Sequence, residues 1–265
     1  MKPSTLSLLL AMVACATPAA AQDMMRHVDL SSPEMTSAEM TRSDVEAAVA
    51  AAANSARPAD FTGKKLSGLD LSGLDLSGAI LRAARLNRTN LAAAKLDRAI
   101  LDQAWLLQAD LSRASLKGAS LFATQMQRAR LDGADLSGAR IAADLTGASL
   151  RGAMLVGANL GADMKNQSMG LMRAVLKSAD LERAILRDAD LARVDLEFAS
   201  LKQADLTNAS LQGATLGGAN LSGATLAGAD FLAADLASAR LVAPVGLETA
   251  RNFEKAHNLQ RLLRE

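Results

Sequence analysis

The side chains that most often do acid–base or nucleophilic work are scarce in this chain. It has two histidines, His27 and His257, one cysteine, Cys15, and no tyrosine. Both histidines lie outside the long central region, so neither a nucleophile–histidine pair nor a zinc site of His and Cys ligands can be assembled there. Serine and aspartate are plentiful but recur at regular intervals, which fits a solvated surface better than a convergent pocket. The glycines recur in the same way and form no phosphate-cradling loop between a strand and a helix. The sequence therefore predicts a non-enzyme with no catalytic, cofactor-binding or metal-ligating residue. What remains is the chemistry of contact, in two groups: Ile80, Ile100, Trp105, Leu107 and Phe122, and the cations Lys65, Arg85, Arg88 and Arg128.

The element that must position these residues is a repeat of period five. Leu66, Leu71, Leu76 and so on to Leu121 fall every fifth residue, with alanine two places before most of them, as at Ala79, Ala94, Ala99 and Ala104. Neither the helical period of 3.6 nor the strand period of 2 matches this, and fixed-period self-similarity sets the whole architecture. Five phenylalanines and one tryptophan are too few for an ordinary mixed core. A narrow interior of Leu and Ala suits them. After Ile141 the phase shifts by one residue through Leu145, Leu150, Leu155 and Leu160, and returns from Leu171 to Leu241 with Phe231 in one central place. One residue is missing near Ala142 and Ala143, and one is gained between Gly161 and Gly170. The second slip reads either as a tolerated bulge or as a recognition loop from Met164 to Gly170.

Units such as Ala179-Asp180-Leu181-Glu182-Arg183 and Ala219-Asn220-Leu221-Ser222-Gly223 resemble the pentapeptide-repeat family, whose motif is Ala-(Asp/Asn)-Leu-X-X. The resemblance covers about two thirds of the chain. It implies an all-β solenoid, a right-handed quadrilateral β-helix with four pentads to a coil. A repeat with one large and one small inward apolar residue independently needs neighbours above and below to bury them. Over Phe61 to Leu241 that makes about nine coils, roughly 40 Å at the spacing of stacked strands.

Four pentads per coil bring residues twenty apart onto one face. Ile80, Ile100 and Phe122 are then expected on one face, with Trp105 and Leu107 on the next, forming one apolar patch across a corner. Such patches mark contact sites, and tryptophan is favoured at their centres. The opposing expectation is scattered surface apolars, or a fold-back of the N-terminal helix that covers them. Met154, Val156, Val175 and Phe198 form a second, weaker cluster. The basic stripe of Lys65, Arg85, Arg88 and Arg128 should share the face of Trp105, but no further aromatics interleave it as nucleic-acid binding would require.

Flanking segments complete the organisation. Residues 1–21 read as an export signal, with Lys2, an apolar run from Leu6 to Ala16 and a small-residue site at Ala19 to Ala21. Acylation at Cys15 is the rival reading, and only then would the membrane be a partner. Residues 22–58 are polar, with Met24, Met25, Met35 and Met40, and hold a helix from about Ser43 to Asn54, capped by Ser43 or Thr41 and striped by Val45, Ala48, Val49 and Ala52. Residues 59–243 are the solenoid. In 244–265, Leu247, Ala250, Phe253, Ala256, Leu259 and Leu263 predict a C-terminal capping helix, with a homodimer contact as the alternative.

Loss of Lys2 with the signal takes the net charge from +1 to zero. The family's quinolone-resistance members are acidic rods that mimic DNA and bind gyrase, and a neutral exported chain departs from them on both counts. The sequence thus predicts a non-catalytic, periplasmic or secreted solenoid that binds or scaffolds a protein partner in the cell envelope. A gyrase-type DNA mimic and a lipid-anchored structural rod are the alternatives.

Overall fold

A computed structural model describes residues 29–55, 57–162 and 172–265. The expected export signal with Cys15, the residues Met24, Met25 and His27, and the expected loop Met164 to Gly170 lie outside the described residues.

Each pentad folds the same way. Leu81 points inward, and a four-residue turn follows in which the Ala84 N–H donates to the Leu81 carbonyl (3.1 Å) while Ala83 sits at φ 53°. A positive φ at the third place of a turn is the type II pattern, which glycine fills most easily. Gly63, Gly68, Gly73 and Gly78 do so in the first coil, whereas Ala83, Arg88, Ala93 and Arg98 occupy the place in the next. A left-handed conformation costs a residue with a Cβ roughly 1–2 kcal/mol, so stacking must enforce it. The stack does so through a parallel ladder: the Leu81 N–H donates to the Ile100 carbonyl (2.7 Å), Ala83 to Asp102 (2.9 Å), and Ile100 back to Ala79 (2.9 Å).

This ladder employs every backbone N–H of the pentad except the one just after the leucine, and the family motif answers that exception. The aspartate or asparagine before each leucine accepts it: Asp70 Oδ1 from Ser72 N–H (3.0 Å), Asp110 from Ser112 (2.9 Å), Asn220 from Ser222 (3.0 Å). Elsewhere a carboxylate one coil below does the same, as Asp97 does for Lys117 (3.0 Å). The polar residue of the motif thus completes the hydrogen-bond account of the backbone. For Asp70 the hydrogen bonds from Ser72, side chain first and backbone second, hold the carboxyl below the usual range.

Rungs twenty residues apart pair in parallel on four faces. The first face runs Asp60, Ile80, Ile100, Ser120; the second Lys65, Arg85, Trp105, Gln125; the third Asp70, Asn90, Asp110, Arg130; the fourth Asp75, Lys95, Ser115, Asp135. Inside, the leucines and the alanines two places before them are almost wholly buried along the entire stack. Burying each leucine contributes about 1.5–3 kcal/mol.

Two interruptions change the step. From Arg140 to Asn159 it is 19 residues, because the corner Ile141–Asp144 has one residue fewer and no left-handed position. The ladder passes through it intact, with Ala123 N–H on the Ala142 carbonyl (2.8 Å) and Asp144 N–H on the Thr124 carbonyl (2.9 Å). From Asp144 to Val175 the step is 31 residues. That is eleven more than the usual twenty, where the sequence suggested a gain of one. Eleven is two pentads and one residue, so the leucine phase looked like a single insertion. The departure also shifts the faces: Met154 and Val156 lie on the fourth face beside Ile185, while Val175 and Phe198 belong to the opposite, second face. The second apolar cluster therefore does not exist as one patch.

Two helices precede the solenoid: α1, Pro33–Thr36, and α2, Arg42–Ser55. The α2 N-terminus is a reciprocal cap, in which Asp44 Oδ2 accepts from Thr41 N–H (2.7 Å) and Asp44 N–H donates to Thr41 Oγ1 (3.2 Å). Val45 is wholly buried in the core, and Met40, Ala48 and Val49 pack beside it. The first coil meets this helix with Leu69 and Leu74 at inward places that alanine fills higher up. Arg42 ties the two together through the carbonyls of Asp70 (3.0 Å) and Ser72 (3.1 Å).

The C-terminal helix expected from Leu247 onward is not formed. Three 3-10 turns, Leu247–Thr249, Phe253–Lys255 and Leu259–Arg261, instead carry the solenoid one coil further. Val245, Arg251, His257 and Leu263 are its rungs, pairing with Thr225, Asp230, Asp235 and Arg240. These rungs are six residues apart, and Gly246, Asn252 and Asn258 take the left-handed place before each turn. Apolar residues three apart resemble a helical stripe over a short stretch, yet they drift by about 60° per step around a helix. In a six-residue unit with two inward places they stay in phase. Phe253 then stands edge-on to Phe231 (ring centroids 5.3 Å) and ends the interior.

Candidate binding surface

The second face and its neighbouring corners collect the contact residues. Ile80 and Ile100 pair as consecutive rungs of the first face, and Phe122 emerges from the same face one coil on. The Phe122 N–H is held by Asp102 Oδ1 (3.1 Å), and the Arg140 guanidinium lies over its ring at 5.1 Å. Across the corner, Trp105 stacks between Arg85 and Gln125, with Leu107 two residues further along. All five apolar side chains are half-buried.

Lys65 and Arg85 are the two rungs below Trp105, and Arg88 and Arg128 stand at the far edge of the same face with Gln108 between them, its Oε1 accepting from Arg88 Nε (3.1 Å). Lys65 faces Glu34 at 3.8 Å. Among the described residues Arg85, Arg88 and Arg128 make no ion pair, whereas on other faces Lys117 meets Asp135 at 3.1 Å and Arg151 meets both Asp180 (3.0 Å) and Glu182 (3.1 Å). Exposed ion pairs contribute little to stability, so the effect is on surface potential; Arg98, Arg113 and Arg193 on other sides likewise make no ion pair among the described residues, and what sets this face apart is the tryptophan beside its cations.

The N-terminal segment does fold back, and it meets the edge of the patch at Leu107. Asn87, buried, clamps it: Nδ2 donates to the Met35 carbonyl (3.0 Å) and Oδ1 accepts from Leu107 N–H (3.0 Å). The antiparallel rung Ala38 with Leu66 and the Glu39 N–H on the Lys65 carbonyl (2.9 Å) continue the join. A hydrogen bond from Lys64 holds the Glu39 carboxyl below its ordinary range. Between α1 and the face lies a groove of about 450 Å³. Leu30, Met35 and Leu107 supply its apolar lining, Arg88 and Arg128 its charge, and Gln127 a side-chain oxygen that is buried without a hydrogen-bond partner.

Asn87 and the groove were not singled out from sequence, although a signal was there. In the pentad around Leu86 both Asn87 and the buried Thr89 depart from the local pattern, and Thr89 Oγ1 spans the interior edge to the Leu66 carbonyl (2.8 Å). Phe198 was underweighted too. It is the most exposed large apolar residue described (63%), held at φ 58° with its ring against Gly218, where a Cβ would come within 2.6 Å, and with Lys177 Nζ 5.8 Å above it. Among the described residues no cluster of His, Cys, Asp and Glu is arranged to hold a metal.

The family model for "Pentapeptide repeats (8 copies)" matches residues 65–138, 141–165 and 171–241 in overlapping segments. A chain whose described pentads stack into four-sided coils, and whose repeats match that model over more than half its length, belongs to the pentapeptide-repeat family. Its fold is the family's right-handed β-helix. Among solved structures it is similar to HetL, a pentapeptide-repeat protein involved in heterocyst differentiation regulation from the cyanobacterium Nostoc sp. strain PCC 7120. The two share 29% identity over 82% of this chain and 94% of that one, at a TM-score of 0.33. QnrB1, a plasmid-mediated fluoroquinolone resistance protein, shares 20% identity over 74% and 84%, with a TM-score of 0.45. Rfr23 from the cyanobacterium Cyanothece 51142 shares 27% over 46% and 64%, with a TM-score of 0.29. A search of the curated proteins returns no match.

Proposed function

We propose that this protein is a non-catalytic, exported solenoid that binds a protein partner through the corner joining its first and second faces. The observation that carries this reading is the concentration there of Ile80, Ile100, Trp105, Leu107 and Phe122 beside guanidiniums that no described acid neutralises. A half-buried tryptophan beside arginines is the composition of an interface hot spot. A DNA mimic needs a face of carboxylates, and a near-neutral rod with cations gathered on one side is poorly suited to it. Export rests on the N-terminal signal.

The test is capture from envelope extracts with the native chain, Ile100→Glu and Trp105→Glu. Both substituted positions are half-buried rungs, so the rod should stay folded while the partner retained by the native chain is lost. Retention by both variants would end the reading. Fractionation with an intact mass of the native protein tests export, since a soluble mature chain beginning at Gln22 supports it and a full-length cytoplasmic chain revives the gyrase alternative. A mature chain beginning at Cys15 assigns the lipid-anchored rod.

One observation favours a second contact. The inward residues of the last coil, Leu247, Phe253, Leu259 and Leu262, remain half-buried with nothing described above them. A second copy placed end to end would cover them. Sedimentation equilibrium of the native chain and of Leu259→Glu measures this, with a native dimer and a monomeric variant as the expected result.

A further inference from the structure

The groove beside α1 shares Leu107 with the corner patch, but Ile80, Ile100, Trp105 and Phe122 do not line it, and its recognition chemistry is its own. Resting on the protein-binding reading above, we infer that the groove holds an extended acidic peptide segment, with carboxylates along one edge and aliphatic side chains along the other. Its long axis follows the coils, since its wall rises from Asn87 and Arg88 through Leu107 to Gln127, Arg128 and Thr146. Arg88 and Arg128 stand two coils apart, about 10 Å at the spacing of stacked strands. An extended peptide places same-edge side chains about 7 Å apart, so two carboxylates on one edge fall within reach of two long, exposed guanidiniums. These form the strongest charge-assisted pairs available to a carboxylate.

The opposite edge of such a segment meets Leu30, Met35 and Leu107. Polar groups interleave that lining. Gln127 Nε2 is committed to Gln125 Oε1 (2.9 Å) and Asp144 Oδ2 (2.7 Å), which leaves Oε1 as an acceptor without a partner. A small turn of the amide lets a peptide N–H answer it. An alkyl chain offers no donor, and among the described residues the groove has no aromatic side chain on which a base could stack. Anion, aliphatic group and N–H donor together describe a peptide.

The experiment is fluorescence anisotropy of a labelled, N-acetylated hexapeptide of alternating Glu and Leu, on the full mature chain at low salt. The Gln–Leu counterpart and dodecanoate serve as competitors. The expected result is saturable binding that weakens with salt, with little competition from either. Arg88→Gln and Arg128→Gln should each weaken binding about tenfold, the effect of one charge-assisted contact. Glutamine already occupies the same left-handed corner at Gln103, Gln108 and Gln203, so these variants suit the backbone, and an unchanged melting curve verifies it. Trp105→Glu should bind the hexapeptide as the native chain does. Capture lost in that variant with hexapeptide affinity retained separates the two surfaces. Native capture without hexapeptide binding overturns the groove proposal alone. Equal binding of the Gln–Leu peptide, or unchanged affinity in the double arginine variant, also overturns it, and displacement by dodecanoate reassigns the groove to a lipid anion.

Discussion

The two ends of the rod meet the same difficulty in different ways. A solenoid coil is stabilised by the coils on either side of it, so the first and last each expose an apolar interior. At the N-terminal end a separate element covers it: α2 lays Val45 into the core over Leu69 and Leu74, and Arg42 ties it to the third face. At the C-terminal end the coil itself changes, to six-residue units with larger inward side chains, and Leu247, Phe253, Leu259 and Leu262 stay half-buried. One end is closed by a lid, the other by a plug. The difference teaches that stability is shared unequally and that only one end offers an apolar face.

The sharpest way to break this comparison is to place a charge at each end. Val45→Asp should cost about 3–5 kcal/mol in urea unfolding, because an unpaired carboxylate would replace a fully buried side chain. Leu262→Asp, at the open end, should cost less than about 1 kcal/mol. Equal costs would show that something covers both ends, and a cost for Leu262→Asp that grows with protein concentration would identify the cover as a second copy. Next in size, Phe253→Ala should lower stability by about 2 kcal/mol, since it removes the ring that stands against Phe231 and leaves that ring uncovered.

Asn87→Ala tests how firmly the lid region is joined to the second face. Removing both hydrogen bonds of a buried amide should cost about 1–2 kcal/mol and speed amide exchange in residues 29–41 ahead of the coils. The smallest effect is spread along the rod. Asp70 and Asp75 are held low chiefly by hydrogen bonds from Ser72 and Ser77. For Asp110 and Asp135 burial is the largest influence and acts upward, but the hydrogen bonds from Ser112 and Ser137, with their basic neighbours, outweigh it. Carboxyls whose folded pKa lies below the unfolded value stabilise the fold above the unfolded value, about pH 4, and lose that contribution as pH falls through the folded one. Melting temperature should therefore be level from pH 7 to 5 and decline below about pH 4, with Asp70→Asn flattening the decline slightly.

The interior was legible because its residues must repeat. Leu81, Leu101 and Leu121 occupy equivalent sites, so spacing alone locates them. The start of α2 was legible to within a residue, because an N-terminal cap is local chemistry; of the two caps the sequence offered, Ser43 and Thr41, the hydrogen bonds with Asp44 select Thr41. The last coil was misread because apolar residues three apart suit both a short helical stripe and a six-residue coil, and only the backbone positions of Gly246, Asn252 and Asn258 decide between them. The length of the step before Val175 was hidden by arithmetic, since phase modulo five cannot tell one residue from eleven. On the outside, the twenty-residue step placed Ile80, Ile100 and Trp105 on their faces. It could not reveal that Asn87 anchors the preceding segment, because that contact joins residues 52 apart and lies outside the repeat.

The rungs of the second face, read in order, are Lys65, Arg85, Trp105, Gln125, Asp144, Val175, Asp195, Thr215, Asp235 and His257. Cations gather in the first coils and carboxylates recur at Asp144, Asp195 and Asp235 in the later ones, so this side of a nearly neutral molecule carries an electric dipole along the stack. Screening at physiological ionic strength confines electrostatic attraction to about 8 Å. A charged surface therefore senses only the extremity nearest to it. Along this side, an anionic surface attracts the coils that carry Lys65 and Arg85 and a cationic one those that carry Asp195 and Asp235, so orientation is selected before any contact is made.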